Sequence, residues 1–263
     1  DVYGCFTKST MPSAPVVWSK KSIKKANNLK QKSVFLINAG NANAFTGKAG
    51  LIACEKKAMA LAKAFECDER NIFFASTGVI GEKLPYGKII EHFDSLKKNL
   101  SSSNLKDASN AILTTDSKPK TYTSKFKIYN ELFTITGFAK GSGMIYPNMA
   151  TMLAFIFTDF AIDSKTLLSF TKKAVDESFN RITVDGDTST SDSVFVSTTN
   201  KKSLNITEDK IPEALNAFYN EIKKAMVDLA KKIVMDGEGA RKFIEITVSN
   251  ARSINRAKKI CFS

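Results

Sequence analysis

Met152-Leu153-Ala154-Phe155-Ile156-Phe157-Thr158 is apolar almost throughout. A strand with one face in water alternates apolar and polar residues. A run without alternation belongs to a central strand covered on both faces. Working outward, Tyr122–Ile128 and Glu131–Phe138 read as a hairpin around Tyr129-Asn130. Downstream, a helix follows Ser164 and another strand covers Ser193–Ser197. The clearest helix runs from about Ile211 to Val234, where Ile211, Leu215, Phe218, Ile222, Met226, Leu229 and Ile233 recur every three or four residues as a core-facing stripe. Nearer the start, Ser33–Asn38 is a strand, Ala39–Gly50 is turn-rich, and an amphipathic helix runs to about Glu66. Asn71–Ala75 is another strand, and Pro85–Leu100 is helical. This alternation is an α/β or α+β signature. Ile254, Ala257 and Cys261 begin a further helical stripe that stops with the chain, and Asp1-Val2-Tyr3-Gly4 reads as a chain already under way.

The 263 residues (28.9 kDa) are 43% hydrophobic and 25% charged, which excludes disorder, and 13 Gly and 6 Pro exclude collagen-like repeats. No run approaches the roughly 18–20 apolar residues that span a bilayer. The net charge of +13 raises nucleic acid as a partner. Only five basic residues are arginine, however (Arg70, Arg181, Arg241, Arg252, Arg256), and the lysines are dispersed, so a solvated lysine-rich surface is favoured. Cys5, Cys54, Cys67 and Cys261 lie far apart without CxxC spacing and read as reduced, cytosolic thiols; Cys54 falls on the apolar face of its helix. The single histidine, His92, has no Ser or Cys partner motif nearby.

Four polar stretches interrupt this scaffold. Asn38–Ala44, followed by Thr46-Gly47, is either an Asn-rich turn bonded to its own backbone or a functional loop. Ser76-Thr77-Gly78-Val79-Ile80-Gly81 lies at a strand end, where a backbone N–H beside a Thr hydroxyl suits an oxyanion; a plain turn explains the same residues. Lys140–Leu153 (KGSGMIYPNMATML) lacks Walker or Rossmann spacing and puts Thr151 at the edge of the buried strand. That layout suits self-cleavage. The Thr151 hydroxyl attacks the Ala150 carbonyl, an ester forms, and hydrolysis frees Thr151 as a new N-terminus whose α-amine serves as its own base. The fourth group comprises Arg181–Asp192 and Asp236–Ala240. Asp185, Asp187 and Asp192 resemble a calcium loop but lack the terminal Glu at the required offset. Glu238, between two glycines, is a loop cap or a ligand for an amine.

The stretches NAGNANAFTG (38–47), STGVIG (76–81), TTD (114–116), KGSGMIYPNMATML (140–153), RITVDGDTST (181–190) and DGEGA (236–240) together resemble the ornithine acetyltransferase family, the self-cleaving glutamate N-acetyltransferases of arginine biosynthesis. The resemblance implies a layered α/β/β/α core with a further α+β portion in the second segment. It implies cleavage between Ala150 and Thr151, giving segments 1–150 and 151–263, assembled as a heterotetramer of two each in the cytoplasm. Thr151 is then the nucleophile, Thr77 and Gly78 the oxyanion pair, and Lys140, Thr151, Glu238 and one of Thr114 or Thr115 the substrate-binding positions. The implied reaction is ping-pong transfer of acetyl from N-acetylornithine to glutamate, with acetyl-CoA as a further donor in bifunctional members. It needs no metal or bound organic cofactor, no nucleic acid and no membrane. The sequence departs from the family pattern at Ser191, where Asn is common, and at Tyr146, which is bulky before Pro147. The family chain also starts earlier and extends past position 263, carrying an Asn and a Ser or Thr that touch substrate. Two other readings stay open: a self-processing aminopeptidase or amidase with water as acceptor, and a basic nucleic-acid-binding protein.

Overall fold

The computed structural model describes residues 1–25, 32–146 and 152–263. In chain order the elements are β1 (Val2–Phe6), α1 (Ala14–Lys25), β2 (Val34–Asn38), α2 (Gly47–Phe65), β3 (Ile72–Ser76), α3 (Tyr86–Glu91), α4 (Phe93–Lys98), α5 (Leu105–Ala111), β4 (Lys120–Ile128), β5 (Glu131–Lys140), β6 (Leu153–Phe160), α6 (Ser164–Asp176), β7 (Ser193–Lys202), α7 (Ile211–Met235) and α8 (Ile254–Cys261). Five strands form one sheet in the order β1-β7-β6-β5-β4, and β2 and β3 form a second, parallel sheet. β6 is central, antiparallel to β5 and parallel to β7.

The apolar run at 152–158 has its explanation in how β6 is covered. Ala154, Ile156 and Phe160 face one core with Val194 and Val196 of β7 and Phe218, Ile222, Met226 and Leu229 of α7. Leu153 and Phe155 face another with Phe138, Phe195, Phe73 and Ala75, flanked by Phe35 and Ile37. The smaller sheet turns its other side, Ile72 and Phe74, toward Ala14, Cys54, Ala58 and Leu61 of α1 and α2. The layers are therefore α6/α7, large sheet, small sheet and α1/α2, an α/β/β/α sandwich. Phenylalanine rings fill the inter-sheet space: Phe155 stacks on Phe195 at 5.5 Å between centroids, and Phe35 meets Phe195 edge-on at 5.4 Å.

The stripe of α7 is buried from Phe218 to Ile233, whereas Ile211, in the open first turn, is 42% exposed. α6 starts where the Asp163 carboxylate accepts the Lys165 and Thr166 N–H groups, an N-cap that satisfies otherwise orphaned donors. The helical stretch 85–100 is two short helices that meet at His92, exposed in the outer helical layer beside α2. Beyond α7, residues 237–253 hold no regular element, and α8 closes the chain. Among the described residues no helix is long and apolar enough to cross a membrane.

Candidate active site

Three loop regions meet at the C-terminal end of β5. Lys140, the last residue of β5, is 2% exposed, and its Nζ donates to the Thr114 hydroxyl at 2.6 Å and to the Thr77 hydroxyl at 3.3 Å. In register, Lys140 pairs with Leu153 of β6, two residues past Thr151. Thr151 and Ala150 lie outside the described residues. Of the two adjacent threonines, it is the Thr114 hydroxyl that lies against the lysine.

Thr77 and Gly78 sit where β3 ends, held against the 38–44 loop. The Thr77 N–H donates to the Asn38 carbonyl (3.0 Å), Val79 N–H to Gly40 (3.2 Å), and Ala42 N–H back to Val79 (2.9 Å). The Asn38 side chain closes the loop, accepting from the Ser76 hydroxyl at 2.6 Å and donating to the Asn41 carbonyl at 2.7 Å. The Asn-rich stretch is thus a structural brace for the Thr77–Gly78 turn. Gly78 has φ of +123°, and a Cβ there would lie 2.3 Å from the Gly40 carbonyl carbon, so only glycine fits. Its N–H donates no hydrogen bond among the described residues. Because the Thr77 hydroxyl accepts from Lys140, its own proton is left for another acceptor. Two donors are therefore adjacent and uncommitted, as an oxyanion site requires.

Glu238 approaches from the loop after α7. Its N–H donates to the Ser142 carbonyl at 3.0 Å, and its carboxylate lies over Gly143, where a Cβ would come within 2.7 Å of Oε1. Thr77, Gly78, Thr114, Lys140 and Glu238 thus converge on one region. The structure adds residues that sequence reasoning passed over. Lys120, 1% exposed at the start of β4, bonds Asp116 at 2.7 Å and Asp236 at 2.5 Å. Asp116 also takes the Gly141 N–H at 2.6 Å and stands 3.3 Å from Lys140. Asp236 accepts from the Ser117 N–H at 3.0 Å and from the Ser117 hydroxyl, while its carbonyl accepts from the Ser142 hydroxyl at 2.6 Å. Asp116 and Asp236 end and begin quoted motifs, which was a usable signal; the position of Lys120 carried none.

Burial alone would raise the Asp116 carboxyl, but the Lys140 charge, the Lys120 hydrogen bond and the Gly141 N–H outweigh it and hold it below the usual carboxylate range. Burial likewise pulls the Lys140 ammonium below the ordinary lysine value, while the charges of Asp116 and Glu238 resist. Two of the three acids of the 181–192 segment bind backbone: Asp185 takes the Ile145 N–H at 2.9 Å and Asp192 the Met152 N–H at 2.8 Å. Among the described residues no group of three or more His, Cys, Asp or Glu is arranged to hold a metal ion.

A four-layered sandwich with a lysine, two threonine hydroxyls and a glycine N–H gathered at its strand ends defines a candidate acyl-transfer site. The ArgJ family model matches residues 1–263, and the chain belongs to the ArgJ family. It is 42% identical over 266 residues to the arginine biosynthesis bifunctional protein ArgJ of Nitrobacter winogradskyi, covering 100% of this chain and 64% of that protein. The chain spans a little under two thirds of the length of the curated relatives it matches. Among solved structures it is similar to an ArgJ protein from Bacillus halodurans (34% identity, 57% of this chain and 75% of that one, TM-score 0.48). It is also similar to an ornithine acetyltransferase complexed with ornithine from Mycobacterium tuberculosis (28% identity, 56% and 75%, TM-score 0.48).

Proposed function

We propose that this chain forms the core of an acetyltransferase of arginine biosynthesis that moves acetyl from N-acetylornithine to glutamate through an acetyl-enzyme on Thr151. The observation that carries the reading is the Lys140 ammonium bonded to the Thr77 and Thr114 hydroxyls, at the strand position facing the residues that follow Thr151. In this reading the chain first cleaves between Ala150 and Thr151, leaving segments 1–150 and 151–263 with a free α-amine on Thr151. That amine takes the Thr151 hydroxyl proton as the oxygen attacks the acetyl carbonyl. The Gly78 N–H and Thr77 hydroxyl stabilise the tetrahedral oxyanion, and ornithine leaves with the proton. Glutamate then attacks the acetyl ester and restores the hydroxyl. Lys140 and Thr114 suit a substrate carboxylate, and Glu238 suits a substrate amine. Acetyl-CoA as a second donor, a cytoplasmic setting and a heterotetramer of two segments each complete the proposal; no metal or bound organic cofactor enters it.

The test is intact mass of the purified native protein together with transfer assays. Cleavage at 150/151 and glutamate-dependent loss of N-acetylornithine are expected. Thr151→Ala abolishes processing and transfer, and Thr151→Ser keeps some of each. Acetate release without glutamate would reassign the protein as an amidase.

A further inference from the structure

The 181–193 segment grips the chain on both sides of the expected junction. Upstream, the Asp185 carboxylate accepts the N–H groups of Met144 and Ile145, the latter at 2.9 Å, and that of Asp187 at 3.2 Å. The Ile145 carbonyl in turn accepts from the Val184 N–H at 2.9 Å and the Thr183 hydroxyl at 3.0 Å. Downstream, the Met152 N–H donates to Asp192 Oδ1 at 2.8 Å, and its carbonyl accepts from Ser193 N–H at 3.1 Å. Ile145 and Met152 are both 1% exposed, and Asp192 is fully buried. The Oδ2 of Asp192 has no hydrogen-bond partner among the described residues.

The grip is itself anchored. The Thr7 N–H bonds the Asp192 carbonyl (3.1 Å), the Thr7 hydroxyl the Ser189 carbonyl (2.7 Å), and the Ser13 N–H the Thr190 carbonyl (2.8 Å). Only residues 146–151 separate the two held points. Cleavage asks one hydroxyl to reach the adjacent carbonyl carbon within that short span. Restricting both ends of a short segment raises the fraction of time it spends in such a reactive geometry.

We propose that Asp185 and Asp192 are positioning residues of self-cleavage, a two-sided clamp that holds the chain at Met144–Ile145 and at Met152, on either side of the expected junction. The inference rests on the assignment of Thr151 as nucleophile. In the step served, the Thr151 oxygen bonds the Ala150 carbonyl carbon, the Ala150–Thr151 C–N bond breaks, and the hydroxyl proton ends on the Thr151 nitrogen. Water then splits the ester into the Ala150 carboxylate and the Thr151 hydroxyl. The role assigned to Asp192 is that of acceptor for the Met152 N–H at 2.8 Å, not that of a charge or a chemical participant; burial raises its carboxyl well above the usual range, opposed by the Met152 amide and the Ser189 hydroxyl.

That distinction sets the experiment. Native full-length precursor is made by brief cell-free synthesis, and its conversion to two segments is followed by denaturing electrophoresis and mass. Asp192→Ala should slow conversion at least ~10-fold, whereas Asp192→Asn, which keeps one acceptor oxygen, should recover most of the rate. Asp185 uses both oxygens, so Asp185→Ala should be slow and Asp185→Asn intermediate. Asp185 is exposed, so its variants keep the fold even where Asp192→Ala does not. Wild-type rates in both alanine variants overturn the proposal. So does an Asp192→Asn as slow as Asp192→Ala, which would make the acid a chemical participant. Uncleaved wild-type protein instead overturns the Thr151 assignment.

Discussion

Lys120→Met is the most exacting perturbation of the network under the site. The ammonium lies 2.7 Å from Asp116 and 2.5 Å from Asp236, and the three side chains are 1%, 0% and 4% exposed. Methionine keeps the volume and removes the cation. Deleting one partner of a buried ion pair costs about 3–5 kcal/mol, because a charge is left without compensation. Here each carboxylate keeps other partners: Asp116 retains the Gly141 N–H at 2.6 Å and Lys140 at 3.3 Å, and Asp236 retains the Ser117 N–H at 3.0 Å. The lower end, about 3 kcal/mol, is therefore expected. Urea unfolding at pH 7 should show a lower midpoint with an unchanged slope. The acid dependence has a definite sign. Burial raises both carboxyls, but their partners outweigh it and hold them below the ordinary range, so their contribution is complete above the unfolded value near ~3.9 and is lost as pH falls through the folded values. Without Lys120 both folded values rise, and stability should begin to fail at higher pH than in wild type. A double variant with Asp236→Asn should recover part of the loss. A midpoint change worth under about 1 kcal/mol, with an unaltered acid limb, would refute the reasoning that this triad is a coupled buried unit.

Thr77→Ala should lower acyl transfer by roughly 10²–10³, about 3–4 kcal/mol, with little change in the unfolding midpoint; unchanged turnover would return 76–81 to a structural turn. Gly78→Ala meets both a φ of +123° and the Gly40 backbone, so it should cost about 2 kcal/mol or more and abolish transfer; a thermal scan and the transfer assay check it. The rate should rise with pH across roughly 6.5–8.5 as a Thr151 α-amine of ordinary pKa near ~8 loses its proton. His92 is exposed in the outer helical layer, so His92→Ala should leave that limb in place, and its disappearance would make His92 the base.

How far the sequence could be read depended on whether the deciding forces were local. β6 was legible because covering both of its faces removes alternation, and α7 because one face meets the large sheet while the other meets water. β1 was not: five residues at a sheet edge, with Gly4 among them, carry too little pattern. α1 hides its apolar face among Pro15 and four lysines. At the site, Thr77, Gly78, Thr114, Lys140 and Glu238 came from motifs, and the structure supplied the contacts among them. Lys120 escaped notice because a lysine in the Thr-rich start of a strand reads as solvated, and its partner Asp236 lies 116 residues away. The missing terminal Glu argues against a calcium loop over Asp185, Asp187 and Asp192 but does not show what these acids do instead; side-chain carboxylates bonded to backbone N–H groups leave no periodic trace.

The strand order has a consequence for how a severed chain behaves. β1, β4 and β5 precede position 150, whereas β6 and β7 follow it, yet the sheet runs β1-β7-β6-β5-β4. The later pair is wedged between strands of the earlier segment, with one seam at β1/β7 and another at β5/β6. Once cut, neither segment owns the complete five-stranded sheet, so unfolding becomes a dissociation governed by mass action. The thermal midpoint of the cut protein should climb more steeply with protein concentration than that of the uncut Thr151→Ala chain. Cleavage at this position would turn two seams within one chain into an association held together by the protein's own abundance.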